Sequence, residues 1–324
     1  MRFLWVGMMA VMAAWHGTAL AVDRHEARLS ARPRMAAILP QESAEDSRDQ
    51  TLVLGRITRH PAKQLPRLQA LNDHVTRLLK GQGLRTGAVV MAPDIRRMAE
   101  RLQAGEVDYL VESLYGALVL EEMGLADIAL QIHINGREHY RPVLMARAGN
   151  SLRLDRLDGA HILFEDPGSS SGFFLPWLML RQLGYRLVQA EDVRPEAPRT
   201  LSYGFAGTEI AVSVGVVRGN ADMGALSDRD WTLPGKVPES LRDDLAILHI
   251  GEPAITALLL VRADLALERR DALVTILAGL ADDAAGREVL EASRLARVER
   301  LDEADARQLA RYRALYRKHA EELP

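Results

Sequence analysis

Three consecutive hydroxyls, Ser169, Ser170 and Ser171, stand between Gly168 and Gly172, directly after Glu165-Asp166-Pro167. Short O–H groups on a backbone that glycine lets approach closely are the donors an oxyanion needs. The apolar His161-Ile162-Leu163-Phe164 ahead of them reads as a buried strand and the apolar run after Gly172 as a helix. The first N–H groups of a helix lack intrahelical partners and carry the positive end of its dipole, so this junction is an anion cradle that needs no lysine. Serine is also a preferred helix N-cap, and one of the three is expected to serve there, but one cap uses only one hydroxyl. Pro176, a little way into the helix, predicts a short first turn or a kink.

The same pentapeptide satisfies Gly-x-Ser-x-Gly, the nucleophile elbow of α/β hydrolases, with Ser170 as nucleophile. An elbow needs a strand entering directly, which Pro167 fits poorly, and a later acid and base exist only as unplaced residues such as Asp244 and His249. Binding rather than attack is expected, with no catalytic residue. The nine histidines include His133 and His139, yet no pair has the spacing of a helical metal site and the chain has no cysteine. Neither a metal nor another cofactor is therefore expected.

The elements that must position the hydroxyls follow from periodicity. Thr51–Ile57 reads as a strand, Leu65 to Leu79 as a helix ending at Gly81, and Ala88–Met91 as a second strand. Pro93 and Asp94 open a helix stopped by Gly105; Val107–Val111 is apolar, and Ser113 is placed to cap the next helix. This alternation over short connections predicts an α/β fold whose mostly parallel sheet is covered by helices, with strand C-termini and helix N-termini on one rim. Later, strand His161–Phe164, a helix to Leu183, helix Thr208–Val217 and strand Ala221–Ala225 repeat the pattern as a second lobe. Arg141–Ala148 and Thr256–Ala263, each apolar and ending in Arg-Ala, read as strands that carry the chain into that lobe and back. The expected organisation is lobe one at 51–142 and 255–324 and lobe two at 143–254, joined by two hinge strands. The alternative is one large domain with two ordinary sheet strands. The charged helix Asp302–Glu322, with Ala306, Leu309, Tyr312 and Tyr316 on one side, is expected to pack on lobe one.

Residues 1–21 carry one charge, Arg2, then an apolar run and Ala19-Leu20-Ala21, the small-x-small spacing of a signal peptidase site. A cleaved secretory signal is expected, leading to the periplasm, with a membrane anchor as the weaker alternative; Val22–Gln50 reads as a loose polar leader. Cleavage would remove one of 41 basic and none of 44 acidic residues, leaving 40 − 44 = −4, which argues against nucleic acid as a partner. Without cysteine the fold rests on its core, and a chain of this length can build two lobes with a cleft between them.

Taken in order, Gly55-Arg56-Ile57, Leu102-Gln103-Ala104-Gly105-Glu106-Val107-Asp108, Glu112-Ser113-Leu114-Tyr115, Tyr140-Arg141-Pro142, the hydroxyl loop and Gly219-Asn220-Ala221-Asp222-Met223-Gly224-Ala225 resemble the periplasmic substrate-binding proteins of phosphonate, phosphite and phosphate ABC transporters. The hydroxyl loop followed by Phe174-Leu175-Pro176 is the most specific of these. Members usually carry threonine at the position of Ser170; the Tyr115 context and Gly207-Thr208-Glu209 also depart from some relatives. The resemblance implies a type II two-lobed binder, monomeric and without catalysis, that closes on a small oxyanion and delivers it to a membrane permease. A sensory module of the same fold, contacting a receptor kinase, is the alternative.

The expected ligand set is Ser169, Ser170, Ser171 and Gly172 from one lobe, with Ser113 and Tyr115 from the helix N-terminus of the other. Tyr140, at the mouth of a hinge strand, is placed either to donate its phenol to the ligand or to wedge between the lobes. Glu112, Asp228 and Glu209 are candidates to accept a proton from an ammonium or a protonated oxyanion, or are surface carboxylates. Arg56 and Arg59 are placed to reach an anion, or are surface arginines.

Overall fold

A computed structural model describes residues 48–190 and 195–324. The expected signal segment and nearly all of the expected leader lie outside the described residues. The first lobe opens with β1 (Thr51–Ile57), α1 (Pro61–Leu78), β2 (Thr86–Ala92), α2 (Ile95–Gln103), β3 (Tyr109–Glu112), α3 (Leu114–Glu122) and β4 (Ala126–Ile134). Leu52 and Leu54 face one apolar cluster and Val53 another, so β1 is covered on both sides, as a near-continuous apolar run requires. A Cβ at Gly55 would stand 2.7 Å from the Val107 Cγ1, so only glycine lets β1 pass there.

The chain then leaves through β5 (His139–Tyr140) and builds β6 (Pro142–Arg147), β7 (His161–Phe164), a wide π-helical turn at Ser170–Phe174, and α4 (Leu175–Gln182). There follow β8 (Arg186–Gln189), β9 (Thr200–Phe205), α5 (Glu209–Val217), β10 (Met223–Ser227), α6 (Asp228–Thr232), α7 (Glu239–Arg242) and β11 (Leu245–Ile250). It returns through β12 (Ala254–Ile255) to β13 (Ala257–Arg262), α8 (Leu267–Ala278), α9 (Ala284–Ala292), β14 (Leu295–Glu299) and α10 (Glu303–His319). Pro176 causes no break, because it falls in the first turn of α4, where its missing N–H costs nothing.

The sheets run β14-β4-β13-β3-β1-β2 and β11-β6-β10-β7-β9-β8. In each, the β-α-β strands pair in parallel while the strands beyond β3 or β10 pair antiparallel, so both sheets are mixed. The two expected crossing segments are themselves sheet strands, β6 in the second sheet and β13 in the first. The crossing proper is the antiparallel pair β5 and β12, in which Tyr140 faces Ala254 and His139 faces Ile255.

One device recurs in both lobes. Gly105 and Gly219, at φ +70° and +78°, end a helix, and three residues later comes an aspartate. Asp108, 1% exposed, accepts the Val53 N–H at 2.8 Å and an Arg48 Nη2 hydrogen bond at 2.8 Å; Asp222 accepts the His161 N–H at 2.8 Å. Each aspartate pins a later strand to the first β-α-β strand of its lobe, which gives a structural role to two of the sequence stretches that carry the resemblance.

α10 departs from expectation by spanning both lobes. Arg313 forks onto Glu121 with two 2.6 Å bonds and Arg317 reaches Glu122 at 2.7 Å, both on α3. Its far end meets the second lobe, where His319 lies edge-on to Trp177 and Glu322 pairs with Arg181. Midway, Gln308 clasps β12 through the Ile255 N–H and the Pro253 carbonyl. Its apolar stripe, Leu309 and Tyr312 among it, belongs to a core cluster that holds residues of both lobes.

Candidate ligand-binding cleft

Between the lobes lies a cavity of about 770 Å³. Its rim is made where the parallel strands end and helices begin: β3 into α3, β7 into the Ser170 turn, β9 into α5 and β10 into α6. That is where a mixed α/β sheet presents unpaired N–H groups and positive dipole ends. Of the expected ligand residues, Ser169, Ser170, Ser171, Ser113, Tyr115, Tyr140 and Glu112 line the cavity, as do Glu209, Arg56 and Arg59. Gly172 and Asp228 do not. The Gly172 N–H donates to Ser169 Oγ and its carbonyl accepts from the Glu165 N–H, so both groups are used inside the loop. Asp228 is turned toward the hinge, accepting the Arg141 and Arg229 N–H groups and lying 3.6 Å from an Arg137 nitrogen.

The three serines have separate tasks. Ser169 is the cap, accepting from the Gly172 N–H at 3.0 Å and donating to Glu165 Oε2 at 2.8 Å. Ser170, 3% exposed, accepts the Tyr115 N–H from the opposite lobe at 2.7 Å and is hydrogen-bonded to the Tyr140 phenol. Its hydroxyl therefore joins the two lobes and the hinge instead of standing free for a ligand. Its partners among the described residues include no histidine, the base an elbow nucleophile would use. Ser171 is half-buried in the cleft, and its hydroxyl has no partner among the described residues.

Ser113 was expected to cap α3. It occupies the N-cap, but its N–H and hydroxyl both donate to Glu112 Oε1, at 2.7 and 3.0 Å. The other Glu112 oxygen is buried without a partner, and burial pushes this carboxyl up despite the nearby Arg56. Tyr115 stacks on Phe174 across the cleft at 4.6 Å, with Tyr316 of α10 edge-on to both. Arg59 also crosses, pairing with Asp166 at 2.6 Å. The lobes are thus in direct contact.

Sequence reasoning missed an acidic corner. Glu165, Glu209 and Asp230 all line the cavity, brought together from the ends of β7, β9 and β10, with the Lys236 ammonium paired to Glu209. Burial, followed by repulsion from Glu209, pushes Glu165 up to about 7, and burial also raises Asp230. Burial works against the Lys236 charge, but its bond to Glu209 and the surrounding acids hold it raised. Near neutral pH, Glu165 can thus either donate a proton to an anion or accept a hydrogen bond from a cation. Glu209 was among the expected carboxylates and Asp230 was not, while the signal for Glu165 was its place directly ahead of the hydroxyl loop.

Comparison with known proteins agrees with this architecture. The family model described as "ABC transporter, phosphonate, periplasmic substrate-binding protein" matches residues 57–306. The phosphate-import protein PhnD of Mycolicibacterium smegmatis is 27% identical over 194 residues, covering 58% of this chain; the chain spans 59% of that relative's length. Among solved structures, XAC2383 from Xanthomonas citri, bound to ATP, aligns with a TM-score of 0.78 at 27% identity, covering 85% of this chain and all of the other. PhnD1 from Prochlorococcus marinus, in complex with methylphosphonate, aligns with a TM-score of 0.61 at 16% identity over 83% of this chain and 98% of the other, a likeness of fold alone. With a match over most of its length and a two-lobed fold to suit, the chain belongs to the family of periplasmic substrate-binding proteins of phosphonate ABC transporters.

Proposed function

We propose that this protein captures a phosphoryl or phosphonyl oxyanion between its lobes and delivers it to an ABC permease, and that the preferred ligand also carries an ammonium or similar donor group. The anionic end lies against Ser171 and the helix N-termini of α3 and the Ser170 turn, where the helix dipoles favour negative charge. The remainder of the ligand reaches Glu165, Glu209 and Asp230, three acids that share the single Lys236 ammonium and that a bare phosphate would leave without a further positive partner. That acidic corner is the observation that carries the reading. A cavity of about 770 Å³ exceeds what inorganic phosphate fills, and the ATP found in XAC2383 likewise joins phosphoryl groups to a large organic remainder.

Calorimetric titration with phosphate, phosphite, methylphosphonate, aminoethylphosphonate, sulfate and ATP tests this. Aminoethylphosphonate is expected to bind more tightly than methylphosphonate by at least about tenfold, the worth of one charge-assisted hydrogen bond. Equal affinities would remove the donor-group half of the proposal. Absence of binding by all six would remove the oxyanion half as well.

A further inference from the structure

We infer that His133, Glu138 and Glu299 form a binding site for one divalent transition-metal ion on the first lobe, beside the hinge and apart from the cleft. The site is assembled by the sheet edge. Asn135 and Gly136, at φ +50° and +75°, make the tight two-residue turn that sends the chain back along β4, with Ile134 and Arg137 exchanging both backbone bonds. This returns Glu138 over the end of the strand. Gln131 and His133, two residues apart on β4, share a face, and the register of β14 sets Glu299 opposite Gln131 and Arg297 opposite His133.

One imidazole nitrogen and two carboxylate oxygens from these residues lie within 4.8 Å of one another. Ligands about 2.0–2.2 Å from a common ion stand at most some 4.4 Å apart, so only a small closure is needed. His133 Nε2 is 2.8 Å from Glu299 Oε1 but is not aligned for a hydrogen bond, and it is buried without any other partner. The independent sign is Gln131. Its side chain is nine-tenths buried or more, at 2% exposure, and its amide head lies against the cluster, with Nε2 3.3 Å from Glu138 Oε1 and 3.4 Å from Glu299 Oε1. The Oε1 of that same amide is buried and unpartnered.

The two carboxylates share one amide group through long bonds, and the imidazole nitrogen beside Glu299 has no aligned hydrogen bond. A single multivalent cation would take the imidazole nitrogen and both carboxylates as ligands. One imidazole with two carboxylates suits a borderline ion such as zinc, nickel, cobalt or manganese better than calcium or magnesium, which prefer oxygen alone. Three protein donors leave positions open to water. Arg297 pairs with the outer oxygen of Glu299 at 2.7 Å and offsets part of the negative charge without occupying the inner one. On the far side of Glu138, His139 Nδ1 stands 4.0 Å from Glu138 Oε2 while its Nε2 meets Asp305 Oδ1 at 2.8 Å. Glu138 is thereby continuous with hinge strand β5 and the start of α10.

The test is equilibrium dialysis and calorimetry of the full chain, prepared without a polyhistidine tag, against zinc and manganese chloride. One ion per chain with a dissociation constant below about 100 μM is expected, and Glu138→Gln or His133→Gln should each weaken it by about tenfold or more. His249→Gln, outside the cluster, should leave it unchanged, and the ion should raise the melting temperature of wild type but not of the two variants. If either variant fails to fold, Glu299→Gln takes its place. No binding at that concentration would overturn the proposal, as would binding that survives both substitutions.

Discussion

Glu165→Gln keeps the size of the side chain and an oxygen to accept the Ser169 hydroxyl, but removes a carboxyl whose proton affinity is pushed up to about 7. The rise from an ordinary 4.5 means that the folded protein holds a proton that the unfolded chain releases between those values. Stability from this group is then fully present below pH 4.5 and is lost as pH rises to about 7, because the folded state binds more protons through that window. A separation of that size corresponds to at most about 3 kcal/mol; with solvent still reaching a partly exposed carboxyl in a cleft, about 2 kcal/mol is expected. Urea unfolding of both proteins at pH 5, 6, 7 and 8 measures it. Wild type should lose about 2 kcal/mol relative to Glu165→Gln across that range, most of it below pH 7. Parallel pH profiles would refute the reasoning. Ligand binding supplies a second reading of the same proton. A bare phosphonate beside Glu165 favours its neutral form and draws in a proton near pH 7, whereas an ammonium-bearing ligand favours the carboxylate and expels one. Calorimetry in two buffers of different ionisation heat gives the sign for each ligand.

Ser170→Ala leaves the buried Tyr115 N–H without its acceptor and should cost about 1–3 kcal/mol in chemical unfolding while opening the lobes in small-angle scattering. Unchanged stability would mean that this hydroxyl does not join the lobes. Gly286→Ala, far from the cleft, sets a Cβ 1.9 Å from the Leu280 carbonyl oxygen. It should cost about 3 kcal/mol or more because the obstacle is backbone, and a loss below about 1 kcal/mol would count against the packing of α9. Arg313→Ala removes the two-bond fork to Glu121 that ties α10 to α3, and should lower stability by about 1–2 kcal/mol with a weaker salt dependence than wild type.

What could be read ahead of the structure was whatever a few neighbouring residues decide. The strand-to-helix junction at Ser169–Ser171, the Asp94 cap and the periodic strands and helices follow from local backbone and side-chain chemistry. Of the two outcomes expected at Pro176, a short first turn or a kink, the first holds. The same locality misled at Ser113, whose hydroxyl found the preceding Glu112 before the helix it heads. It misled again at the end of the chain, where α10 reads as an ordinary amphipathic helix and only its partners Glu121 and Arg181 reveal that it spans two lobes.

An α/β chain with an anion cradle at one β-α junction is legible from neighbouring residues alone, because capping, glycine freedom and the helix dipole act over three or four residues. How the three serines divide their work depends on packing between the lobes, since the Ser170 hydroxyl is claimed by Tyr115, 55 residues away and in the other lobe. The tertiary structure alone gathered Glu165, Glu209 and Asp230 at one end of the cleft, and His133, Glu138 and Glu299 at the edge of the first sheet. The reason is physical: side chains from separate strands meet through sheet order and register, and those are set by how whole faces pack, not by spacing along the chain.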